Sequence, residues 1–153
     1  MTDGGELAGA VAEARQRLLG FVQACSEEQW ASAPLAGDDD PRTVAVVVDH
    51  VADAYEYLAG WIDALARGET PEVNRDVVDD LNARHAAAVT APTRDAVTAH
   101  LARSGDAIVA LISSLAPEQV AGDRGRVLRF AEIAARHADS HRAELEAALG
   151  LSS

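Results

Sequence analysis

Apolar positions recur along this chain at intervals of three and four residues, the spacing that lines one face of an α-helix. Four long stretches carry it. In the first, from about Glu6 to Ala24, Leu7, Val11, Ala14, Leu18 and Val22 share a face, and Asp3 with Glu6 reads as a capping box. The second takes Asp40 as its N-cap and Pro41 as its first helical residue, and runs to about Arg67, where Gly68 supplies the stop. Its face is Val44, Val47, Val51, Ala54, Leu58, Trp61 and Leu65. The run Val46-Val47-Val48 favours a strand locally, but it lies inside the longer helical period and is expected to follow it. The third starts at Thr93, after Pro92, and stops at Pro117, with Val97, Leu101, Ile108, Leu111 and Leu115 inward. The fourth, from about Arg126 to Leu149 and closed by Gly150, turns Val127, Phe130, Ala134, His137, His141, Leu145 and Ala148 to the interior. No stretch alternates convincingly with the period of a strand, so the fold class is all-α.

The connections add two details. Ser26 to Trp30 reads as one capped turn before a loop containing Pro34 and Gly37. Residues 68 to 92, 25 in number, are too many for a tight helical hairpin, where ~2–8 suffice. Within them Asn74 to Thr90, with Val77, Val78, Leu81 and Val89, reads as a short extra helix. Such a crossover can carry the chain along a bundle to a parallel partner. The expectation is one domain over 1–153.

Composition narrows the packing. The chain has 33 alanines and only 4% aromatic residues within a 48% hydrophobic fraction, so helices are favoured and can approach closely. Thirteen basic residues, all arginine, against 25 acidic ones give a net charge of −12, which repels polyanions and argues against nucleic-acid binding. The single Cys25 excludes an internal disulfide and suits a reducing compartment. The N-terminal sequence lacks a basic segment followed by an apolar one, and no apolar run approaches the ~18 residues of a membrane span. A cytoplasmic protein without membrane contact is expected. Ala-rich helices often leave apolar strips that one bundle cannot cover, and symmetric dimers are the commonest oligomer, so a homodimer is expected.

The chemistry concentrates in the fourth stretch. His137 and His141, four residues apart, differ by only ~40° around a helix axis, so both imidazoles leave the same face, and that face is the apolar one. Two imidazoles in an apolar seam need partners for their ring nitrogens, and a shared metal ion supplies one. A half-exposed pair that binds nothing is the ordinary alternative, and a third ligand decides between them. His50 qualifies, on a face with Val46, Ala54 and Tyr57. It lies ~14 Å into the second helix, while His137 and His141 lie ~17–22 Å into the fourth, so the levels agree within about a turn if the helices are parallel. They agree again if the helices are antiparallel, where His50 lies ~26 Å from the far end of a ~40 Å helix. Three nitrogen ligands leave a coordination position open, the mark of a catalytic site, where either a thiol or a water would be activated. Zinc and nickel both suit such ligands.

Other residues carry less. His85 and His100 read as ordinary surface or half-buried histidines. Glu144, three residues after His141, is a candidate hydrogen-bond partner of that ligand, though a solvated charge is the plainer reading. Cys25 reads as a small core residue, and Asp38-Asp39-Asp40 as a capped loop with too few oxygens for calcium. Trp30, Tyr55, Tyr57 and Trp61 read as core or dimer-face residues.

A histidine midway along the second helix after a Val-rich stretch, with His-x-x-x-His in the last helix, resembles the DinB-like superfamily of metal-binding bundles. The resemblance extends over nearly the whole chain, including the Ser26–Trp30 turn and the long crossover, and is closest to the branch containing the N-terminal domain of mycothiol-dependent maleylpyruvate isomerase. It implies a four-helix bundle in up-down-down-up order and a divalent metal on His50, His137 and His141. It also implies a thiol-dependent transferase or isomerase acting on small electrophilic substrates with a low-molecular-weight thiol. Asn82, in the crossover, corresponds to asparagines that face the pocket and is the candidate substrate or cosubstrate contact. Many members carry Trp followed by Ser or Thr just before the second helix. Thr43 fits the latter, but Arg42 stands in place of the Trp, which alters the mouth of the pocket.

Overall fold

Each of the long stretches forms a helix, and so do three shorter segments between them. The computed structural model describes residues 3–151, so the expected domain of 1–153 extends beyond the described residues at both ends. The helices are α1 (Gly4–Ala24), α2 (Glu27–Ala31), α3 (Val44–Ala66), α4 (Arg75–Ala88), α5 (Arg94–Ser114), α6 (Pro117–Ala121) and α7 (Arg126–Ala148). No strand occurs among the described residues.

Side-chain caps set most of the starts. Asp3 accepts from the Glu6 amide, Asn74 from Val77 and Thr93 from Ala96, each satisfying a donor that the first turn leaves free. The second long helix corrects its expected start. Thr43 is its N-cap, accepting from the Val46 amide at 3.2 Å, while Asp40 and Pro41 lie in the loop before it. Asp40 is drawn off by Arg42, whose guanidinium donates to both its oxygens at 2.9 and 2.7 Å. Pro117 corrects a stop. It opens the five-residue α6 rather than ending α5, whose cap is Leu115. Ala148, expected inward, is exposed at the end of α7, and Ala131 and Ala138 are the buried residues the stripe omitted.

The Val-rich run obeys the helix: Val46, Val47 and Val48 are all buried in α3, the most completely enclosed element. Fully burying one such aliphatic side chain contributes ~1.5–3 kcal/mol, so this helix carries much of the core. The α1 helix packs against α5 and α7, and α3 packs against the same two, which leaves α1 and α3 facing across a diagonal. Close approach is built in at Gly4, where a Cβ would run into the carbonyl of Ile112. Along the α1–α5 contact, Arg15 reaches the Ala102 carbonyl and Asp106, and Arg94 reaches the Val22 carbonyl. Trp30 donates to the Pro92 carbonyl at 3.2 Å, tying the α2 turn to the start of α5. The crossover helix α4 touches α3 and contributes no side chain to the hydrophobic core. No helix is long and apolar enough to cross a membrane.

Candidate metal centre

The α3–α7 contact positions the three histidines. His50 projects from the middle of α3, where the valines around it hold the helix tight against its neighbours, and only 4% of its surface is exposed. His137 and His141 project one turn apart from α7, half-buried. The ring of His50 lies 5.0 Å from that of His137 and 5.1 Å from that of His141, and the latter two are 4.6 Å apart. One ligand nitrogen from each lies within 4.8 Å of the others, and the Nε2 atoms of His50 and His137 are 3.1 Å apart. A tetrahedral ion with nitrogens at ~2.0–2.1 Å holds its ligands ~3.4 Å apart, so the spacing suits a metal.

The electrostatics agree. Burial, then mutual repulsion between the imidazoles, pushes His50 down to about 2; burial and the charge of His141 push His137 down to about 3. Burial also lowers His141. All three rings are therefore neutral near pH 7, the form that ligates. The fit to a cation rests on the donors themselves. Neutral nitrogens that point at one another cannot all be satisfied by hydrogen bonds among themselves, and the Nδ1 atoms of His50 and His141 are buried without a partner. The two Nε2 atoms of His50 and His137, 3.1 Å apart, can share only one proton, and a positive ion between the rings would instead take a lone pair from each.

A cleft of about 340 Å³ opens onto these rings. One wall is aromatic and aliphatic: Tyr57, Trp61 and Phe130 follow one another with centroids 4.9 and 5.5 Å apart, backed by Leu58 and Ile133. Tyr57 and Trp61 pack against the hydrophobic core, in keeping with the expectation, and also line the cleft, because α3 turns the same side to it as His50. Tyr55 and Trp30 are buried as expected. Burial, aided by Asp53, raises the Tyr57 phenol to about 12, so it stays protonated. The crossover adds Val73 and, from α4, Val78 and Asn82 to the lining. The Oδ1 of Asn82 is buried with no donor to meet it. Arg42 is the charged residue of the lining, anchored by Asp40, and its charge also disfavours protonation of the three histidines.

Behind α3 lies a second polar cluster that the sequence reading missed. Asp49, beside His50 in the chain but on another face, is buried and accepts at 2.7 Å from His85 Nε2 on α4 and at 2.8 Å from His100 Nδ1 on α5. The other nitrogen of His100 meets Glu56 at 2.7 Å. The expectation of surface or half-buried histidines holds for the burial of His100, which is half-buried but doubly paired, and fails for His85, which is buried. Asp49 was the available signal, since an acid inside a helix otherwise lined by valine and alanine requires partners from elsewhere.

The remaining candidates take lesser places. Glu144 stands 3.5 Å from His141 Nδ1, beyond a good hydrogen bond, with its side chain half in solvent. Cys25 is buried at the end of α1, where burial raises its thiol pKa above the ordinary value. Asp38 closes a single 3-10 turn, Asp39 follows in the left-handed region at φ 63°, and Asp40 serves Arg42.

Residues 10–145 match the profile of the DinB superfamily, which spans nearly the whole chain. No curated protein and no solved structure matches it. The chain belongs to the DinB superfamily.

Proposed function

We propose that this member of the DinB superfamily is a metal-dependent enzyme, a thiol-dependent transferase or isomerase for small electrophilic substrates, with His50, His137 and His141 as its metal ligands. One observation carries the reading: three neutral imidazoles converge at the side of a largely apolar cleft, and no carboxylate or thiol joins them within ligating distance among the described residues. A closed structural site has four protein ligands; three leave room for a small molecule. When bound, a divalent ion such as zinc or nickel supplies a Lewis acid at that open position, where the pKa of an entering thiol is lowered. A mycothiol-type cosubstrate is the form of thiol that the family resemblance favours.

The chain's own residues do the rest. Burial keeps the three rings uncharged, so they bind without first releasing a proton. Tyr57, Trp61 and Phe130 cover the apolar part of a substrate and exclude water from it. The free Oδ1 of Asn82 takes a hydrogen bond from an N–H or O–H of the ligand. Arg42 guards the mouth with its guanidinium already fixed by Asp40, so little side-chain entropy is lost when a ligand arrives. We read the long helices as up-down-down-up. The start of α1 beside the end of α5, the His50–His137 and Trp61–Phe130 contacts between α3 and α7, and the closeness of Trp30 to Pro92 support that order.

The test is turnover by protein purified without a nickel column, stripped with chelator and reloaded with zinc or nickel. Thiol consumption is followed with small electrophiles and a cysteine-based thiol. The reading expects activity that returns with metal and is absent in His137→Ala. Equal activity in the stripped protein overturns it. Loss of most of the helical circular dichroism on chelation at room temperature would favour a structural metal instead.

A further inference from the structure

The crossover helix α4 differs from every other long element. Its one buried residue is a histidine, His85, and none of its apolar side chains joins the hydrophobic core. Its remaining inward residues are half-buried, and two of them, Val78 and Asn82, line the cleft. What fixes α4 to the bundle is therefore polar: the 2.7 Å bond from His85 Nε2 to Asp49 on α3, with both side chains almost wholly buried. Asn82 precedes His85 by three residues, so the two share a face of α4 and move together. Asp49 in turn is held from behind by His100, which keeps its second oxygen occupied.

We propose that α4 is a movable wall of the cleft, latched by the His85–Asp49 contact, and that His85 and Asp49 are positioning residues that set Asn82 against a bound ligand. The inference rests on the cleft being a ligand site. Elements with few buried apolar contacts open locally at lower free energy than the core, and α4 meets that description. A buried hydrogen bond to a charged group is the strongest single hold such a helix can have. With the latch made, α4 contributes Val78 and Asn82 to the lining of the cleft and presents the unpaired Asn82 oxygen; with it broken, α4 swings on the flanking loops, where Gly68 at φ +83° marks one end. Release of whatever the cleft holds is then gated by this contact.

Hydrogen exchange resolved by segment, together with zinc release to excess chelator, tests the latch. In the unaltered protein the amides of Arg75–Ala88 are expected to exchange by local opening, well before those of α3 and α7. His85→Ala should speed exchange in α4 roughly ten- to a hundredfold, leave α3 and α7 unchanged, and accelerate zinc release while one zinc per chain still binds. His85→Gln, which keeps a donor near the Nε2 position, should restore most of the protection. His100→Gln, which spares the α4 contact, should leave α4 exchange as it was. Equal protection of α4 and α3 in the unaltered protein overturns the proposal, as does an unchanged α4 in His85→Ala or uniform unfolding of that variant. Absence of zinc binding in every variant would instead count against the metal reading, while the exchange arm still decides the latch.

Discussion

Asp49 and His50 are neighbours in the chain, yet they build opposite kinds of polar cluster on two faces of one helix. On the α7 side three imidazoles face one another, the one carboxylate near them among the described residues being Glu144 at a long 3.5 Å from His141 Nδ1, and burial drives them to the neutral form. On the α4–α5 side two imidazoles are each bonded to Asp49, and one also to Glu56. The first arrangement turns ring nitrogens towards one another; the second spends three of its four on carboxylates that fasten helices, leaving only His85 Nδ1 without a partner. The same residue type is thus left able to ligate a metal or is committed to cross-linking according to the acids that stand beside it.

Substitution separates the two clusters. The largest effect expected is on metal affinity in His137→Ala: removing a direct ligand should weaken zinc binding by more than the ~10–100-fold typical of outer partners, while the metal-free protein changes stability by only ~1–3 kcal/mol, mainly through the cavity left. Calorimetric zinc titration beside urea unfolding of the stripped protein checks both halves. Next comes Asp49→Ala, which strips the shared acceptor from two histidines inside the fold and should destabilise the chain by about 2–4 kcal/mol. If urea midpoints showed less than a few tenths, the cross-linking role assigned to Asp49 would be wrong.

A smaller effect is expected with pH. His100 is partly desolvated, which lowers its pKa, but its bonds to Asp49 and Glu56 outweigh that and hold it above the ordinary 6.5. Its contribution is therefore complete below 6.5 and is lost as pH rises through the raised folded value. Asp49 runs the other way: burial would raise it, its two histidines hold it below 3.8, and its contribution persists above 3.8 and is lost as pH falls through the lowered value. Stability of the stripped protein should fall by less than ~1 kcal/mol on the alkaline side, and His100→Gln should remove that slope. A slope unchanged in His100→Gln would assign it to other groups. The smallest effect expected is Glu144→Gln. At 3.5 Å and half in solvent, this side chain should alter zinc affinity by less than about threefold; a larger loss in the same titration would show that it orients His141.

Helical spacing made the four long helices, the crossover helix and the convergence of His50 with His137 and His141 legible, because each depends on a repeat or offset within one segment. What could not be read depended on partners far away in the chain. The start of α3 moved from Asp40 to Thr43 because Arg42 competes for the Asp40 carboxylate. His85 and His100 looked isolated because the acid they share lies 36 and 51 residues away. Tyr57 and Trp61 pack against the core as expected, but apolar spacing could not show that the same side chains also line a cleft.

The central claim is that the unpaired histidines, and not the acid-paired ones, bind the metal. X-ray absorption on the zinc-loaded protein tests it most directly. The account predicts one zinc per chain with three imidazole nitrogens at ~2.0–2.1 Å and the remaining position filled from solvent, with that signature lost in His137→Ala and kept in His100→Gln. A shell that survives in His137→Ala and disappears in His100→Gln would place the metal on the other face of α3 and contradict the account.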